Sequence, residues 1–127
     1  MSALHHSNPA GIAPPAGQYS HAVLVPAGRE MLFISGQIGN RSDGSMASGF
    51  GAQIGQAFDN LDAVLGAHAM STDNLVKLNY YLAPGCDVSE FRRVRTDRLP
   101  DPPPASTTVV TELMDGDWLF EIEAVAA

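Results

Sequence analysis

The sequence holds one cysteine, Cys86, among 127 residues. A lone cysteine cannot close an internal disulfide, so the fold must rest on its core, and a reducing cytoplasm is the expected compartment. Basic residues are also scarce: 7 Lys and Arg stand against 14 Asp and Glu, a formal net charge of −7. Neither a nucleic-acid backbone nor an anionic membrane is then the expected partner, because both are gripped through Lys and Arg. One local exception is the basic run Arg92, Arg93, Arg95 and Arg98. No apolar run approaches the roughly 20 residues of a membrane-spanning helix. The opening MSALHHSNPAG has neither the basic nor the apolar stretch of a signal peptide. Metal-ligand spacing is missing too, since His5, His6, His21 and His68 share no such pattern, and no metal or cofactor is expected. Glycine clusters such as GQIGN match neither a phosphate loop nor a dinucleotide fingerprint.

What is present fits one domain, with 45% hydrophobic residues to supply a core and too short a chain for two. Residues 1–16, with Pro9, Pro14 and Pro15, are expected to form a flexible arm without regular structure, and residues 17–127 a single domain. QYSHAVLV and MLFISGQIG flank the turn PAGRE and predict a β-hairpin. From Phe50 to Met70 the period changes, with Ile54, Ala57, Phe58, Leu61, Val64 and Leu65 on one helical face. NLVKLNYYL alternates, setting Val76, Leu78, Tyr80 and Leu82 against Lys77, Asn79 and Tyr81. VSEFRRVRTDRL resumes helical spacing, with Ser89 a candidate cap. DPPP then breaks the helix, and STTVVTEL and WLFEIEAVA predict a closing hairpin. The order is β-β-α-β-α-β-β, an α+β domain whose mixed sheet carries two helices on one face. The second sheet face mixes polar and apolar residues, which predicts a homo-oligomer.

Three stretches, GQYSHAV (Gly17 to Val23), FISGQIG (Phe33 to Gly39) and PAST…FEIEAVA (Pro104 to Ala126), resemble the RidA/YjgF family of small trimeric proteins. The family's patterns are G-P-Y-S-x-A-V, F-x-S-G-Q-I, and P-A-R-S followed by an E-I-E-A strand. Order and spacing agree from about Gly17 to the end of the chain. The resemblance implies a chorismate-mutase-like α+β fold in a homotrimer packed sheet to sheet, with a small-molecule cleft at each subunit interface. It also implies cofactor-free hydrolysis of reactive enamines and imines, such as 2-aminoacrylate, to keto acids and ammonia. A glutamate on the last strand would hold the water, and an arginine the substrate carboxylate. Relatives also carry the labels translation inhibitor and endoribonuclease.

Carried over by position, the resemblance makes Glu121 the catalytic glutamate and puts Tyr19 and Ser35 in the substrate site. The arginine of P-A-R-S falls at Ser106, so the guanidinium is absent there. A serine offers one neutral donor where arginine offers two parallel charge-assisted bonds. Losing such a contact to a buried charge costs about 2–5 kcal/mol. The usual imino-acid substrates are therefore not expected, and the proline-stiffened connection before Ser106 implies a reshaped rim. Thr108 shares a strand face with Ser106 and joins the candidate lining. Arg95, where the commoner family pattern has asparagine, is a candidate replacement cation, although a basic run of this kind is more often a solvated helix face. Glu123 is expected to be structural, paired with Lys77, and Cys86, with no His or Lys beside it, is not expected to be a nucleophile. Three functions follow in order of preference: deamination of an imine or enamine, a ligand-binding trimer without chemistry, and an endoribonuclease.

Overall fold

The computed structural model describes residues 2–127. In chain order its elements are β1 (His5–Ser7), β2 (Ala22–Leu24), β3 (Leu32–Gln37), α1 (Phe50–Ala67), β4 (Leu75–Leu82), α2 (Val88–Thr96), β5 (Ala105–Val110) and β6 (Phe120–Ala126). From β2 onward this is the expected β-β-α-β-α-β-β order. Four strands form one sheet in the order β3-β6-β4-β5, mixed because β4 and β5 run parallel, with both helices on one face.

Three expectations are corrected. Residues 1–16 are not without regular structure, because β1 pairs antiparallel with β2 and sets His6 opposite Val23. That pairing gives β2 a partner outside the main sheet, so the hairpin expected between β2 and β3 does not form. The closing hairpin is absent as well: β5 pairs with β4, and β6 lies between β3 and β4. A parallel pair needs a crossover, which α2 supplies; β6 then enters the sheet antiparallel to both its neighbours. Alternation told which face each residue takes but not which strand lies beside it.

The core lies between the sheet and the helices. α1 contributes Ile54, Ala57, Phe58, Leu61 and Leu65, while β6 contributes Phe120, Ile122, Ala124 and Ala126. Phe58, Tyr80, Phe91 and Phe120 pack as an aromatic cluster with ring centroids 4.9 to 6.4 Å apart. β4 departs from its expected face at one point. A register shift between Leu75 and Lys77 buries Leu75 instead of Val76. Asp87 caps the start of α2, its carboxylate accepting from the Ser89 amide at 2.9 Å, so Ser89 is capped rather than capping.

Gln53 is a polar residue on the buried face of α1. Its amide donates to the Asp117 carbonyl at 2.9 Å and accepts from the Leu119 amide at 2.8 Å. These two bonds fix the chain as it enters β6. Gln53→Met keeps the volume and leaves both backbone groups unpaired, so a loss of about 2–4 kcal/mol is expected in urea unfolding.

Candidate functional site

Four of the candidate site residues are drawn together by the segment between β1 and β2. Ser20, almost fully buried, donates its hydroxyl to the Pro103 carbonyl at 2.5 Å and its amide to the Pro104 carbonyl at 3.0 Å. Gln18 donates to the Thr96 carbonyl at 3.2 Å. The segment therefore bridges the end of α2 and the start of β5, and it sets Tyr19 against both. Tyr19 packs edge-on to His21 and accepts at its hydroxyl from the Ala16 amide, 3.0 Å away.

The result is a cavity of about 360 Å³ on the helix side of the sheet edge. Four of the six expected site residues line it: Tyr19, Arg95, Ser106 and Thr108. Ser106 and Thr108 pair with Leu78 and Tyr80, which places them on the same sheet face as the core. Arg95 corrects the reading of its run as a solvated face. It is 7% exposed, with its guanidinium 4.8 Å from the Phe91 ring centroid and 5.8 Å from that of Tyr80. Burial draws its pKa down, with Tyr80 opposing the shift and Arg92 adding to it. Phe91, Arg92 and Gly17 also line the cavity. Sequence reasoning did not single them out for the site, although Arg92 at three residues before Arg95 lies on the same helix face.

Glu121 and Ser35 lie elsewhere, on the open face of the sheet. β6 alternates, so Glu121 and Glu123 face away from the helices while Phe120 and Ile122 face them. The Glu121 side chain is partly buried because β3 closes over it. Between Ile34 and Gln37 the register shifts, and Ser35 and Gly36 together oppose Glu123. A Cβ at Gly36 would lie 1.8 Å from Glu121 Oε2, so only glycine leaves room for the carboxylate. Burial, with Glu123 second, raises the Glu121 pKa above the ordinary carboxylate value.

Glu123 does not pair with Lys77. It accepts from Asn79 Nδ2 at 3.1 Å and from the Tyr81 hydroxyl in a short hydrogen bond. Lys77 Nζ donates to Thr107 Oγ1 instead, at 3.1 Å. Because Asn79 stands opposite Glu123 in the β4–β6 register, it reaches the carboxylate directly. Burial raises the Cys86 thiol pKa and Glu90 adds to it, so Cys86 is held away from the thiolate form. Among the described residues no group of three or more His, Cys, Asp or Glu is placed to hold a metal. Among the same residues no helix is long and apolar enough to cross a membrane.

The endoribonuclease L-PSP family profile matches residues 11–127. A RutC family protein of Aquifex aeolicus is 36% identical over 115 residues, 88% of this chain and 90% of that protein. A solved Rid-family protein of unknown function, YyfB from Yersinia pestis, superposes with a TM-score of 0.87 at 26% identity, covering 98% of each chain. RidA from an Antarctic Psychrobacter superposes with a TM-score of 0.72 at 31% identity, over 88% of this chain and 89% of that one.

A raised carboxylate pKa has a consequence for stability. The folded chain holds the Glu121 proton more tightly than the unfolded chain, so ionisation of Glu121 opposes folding as pH rises through the carboxylate range. Glu121→Gln is expected to be more stable than the wild type at pH 7, by less than about 1 kcal/mol given its partial exposure. The gain should disappear below pH about 4, where both side chains are neutral. Urea unfolding at both pH values and one protein concentration checks this.

Proposed function

The chain belongs to the RidA/YjgF family, whose profile is described as endoribonuclease L-PSP, and from that premise we propose that it hydrolyses a small imine or enamine in a cleft between the subunits of a homotrimer. The observation that carries this reading is Glu121, a partly buried carboxylate of raised pKa, seated in the slot left by Gly36. Such a group is more basic than an ordinary carboxylate and so better suited to take a proton from water. An enamine first takes a proton at carbon to become the imine. The water oxygen adds to the C=N carbon while one of its protons passes by way of Glu121 to the nitrogen, giving an amino alcohol. Glu121 then takes the remaining hydroxyl proton as the C=O bond forms and gives it to the nitrogen as the C–N bond breaks, so that ammonia leaves a carbonyl product. Glu121 acts as base and then as acid, and the residues account for these transfers without a cofactor.

Assembly is part of the same proposal. Glu121 and Ser35 lie on the open sheet face, while Tyr19, Ser106 and Thr108 line a cavity on the helix side. One chain does not bring the two halves together, and a second copy against the open face can. Phe33 is 74% exposed on that face, and Val109 is exposed there too, so the face carries apolar surface for a copy to cover. The substrate is inferred to differ from the usual imino acids at its rim contacts, because Ser106 stands where the family has arginine. The compartment we infer is a reducing one such as the cytoplasm, given the single cysteine.

The same serine favours a second reading, a trimer that binds a small ligand and returns it unchanged. An endoribonuclease fits less well, because a net charge of −7 opposes an RNA backbone.

Ammonia release from freshly generated imines, with and without a carboxylate, separates the readings. Turnover that falls about 100-fold or more in Glu121→Gln, with sedimentation unchanged, is the expected result. No release from any imine, alongside thermal stabilisation by an unaltered ligand, would favour the binding trimer. Gly36→Ala should also lower turnover, by about tenfold or more, because its methyl group displaces the catalytic carboxylate.

A further inference from the structure

We propose that Arg95 anchors the anionic group of this protein's ligand, a carboxylate, and so supplies from α2 the guanidinium that position 106 lacks. This rests on the cleft being the ligand site, whether or not the ligand is turned over there. The contrast with Arg98, one turn further along, is informative. Arg98 Nη2 lies 2.8 Å from Asp59 and 3.0 Å from Asp62, and both ion pairs among the described residues belong to it. Arg95 is buried deeper and has no carboxylate.

Arg95 Nε is buried without a hydrogen-bond partner, and so is the hydroxyl of Tyr80, whose ring lies beside the guanidinium. A buried cation that its own chain leaves without an anion is costly unless something outside the chain supplies one. The cavity provides the opening. Its walls bring Arg95 and Arg92 together with the hydroxyls of Tyr19, Ser106 and Thr108, and no acidic side chain of the same chain lines it. In a chain of net charge −7, that is a local inversion of sign. Gly17 stands beside Arg95 without a side chain, the nearest approach of a Cβ there being 3.8 Å from Nη2.

The chemistry of the guanidinium selects the anion. Its Nη end presents two parallel N–H groups, which match the two oxygens of a planar carboxylate. One buried guanidinium balances one negative charge, whereas a phosphate dianion would rely on Arg92, which is exposed and screened by solvent. Phe91 and Val88 line the same cavity and offer apolar contact for a short carbon chain.

The test compares butyrate with its neutral isostere butyramide, binding to the full-length protein being followed by NMR with the Arg95 Nε–H signal as reporter. Butyrate should shift that signal and bind at least tenfold more tightly than butyramide. Folded Arg95→Gln should lose the preference, and Ser106→Arg added to Arg95→Gln should restore it. Equal binding of the two probes, no binding of butyrate, or an unmoved Nε–H signal would overturn the proposal. So would a preference that survives Arg95→Gln or does not return in the double variant. If Arg95→Gln does not fold, the wild-type titration decides alone. A carboxylate preference in a protein that releases no ammonia would sink the deaminase reading and leave the anchor in place.

Discussion

The alternation of β6 is the constraint on which the rest of the structure depends. The strand is hydrogen-bonded on both edges, to β3 and to β4, and each of its residues must choose between the helix-covered core and the open face. A slip of one residue would drive Glu121 and Glu123 into the aromatic cluster and expose Phe120 and Ile122. Glu123 opposes such a slip from its own side, because Asn79 and Tyr81 of β4 converge on it. One carboxylate thus holds the register that gives the other its place. The two glutamates share a strand face and do different work.

Position in the sheet then divides the candidate site. Residues that are neighbours in a motif can serve opposite faces, and residues far apart can meet. Ser106 and Thr108 face the helices because their partners Leu78 and Tyr80 do. Ser35 and Gly36 face the open side together only because a bulge sets two residues of β3 against one of β6. The bulge both aims Ser35 and opens the slot for Glu121.

Much of this was legible in the sequence, for identifiable reasons. Period 3.6 in α1 and period 2 in β4 and β6 are set by backbone geometry, so the faces could be read from spacing. Neighbour relations could not be. The partner of β5 is chosen by the crossover through α2, and the partner of β2 lies in a segment too rich in proline to read as a strand. Among candidate site residues, Tyr19, Ser106 and Thr108 were visible through motif and spacing, and the structure brings them to one cavity. The burial of Arg95 was not visible. Arg92, Arg95 and Arg98 are alike in composition, and only the packing of α2 against Tyr80 and Phe91 turns one inward and leaves another to the carboxylates of α1.

The bond from Ser20 to the Pro103 carbonyl spans 83 residues of chain. A ribosome delivers Tyr19 and Ser20 long before it delivers the prolines that receive them. The cavity wall can consequently close only after α2 and the prolines that follow it have been made. A chain stopped short of residue 103 lacks both carbonyls that receive Ser20. The cavity is thereby complete only in a chain extended past Thr108, the last residue that lines it.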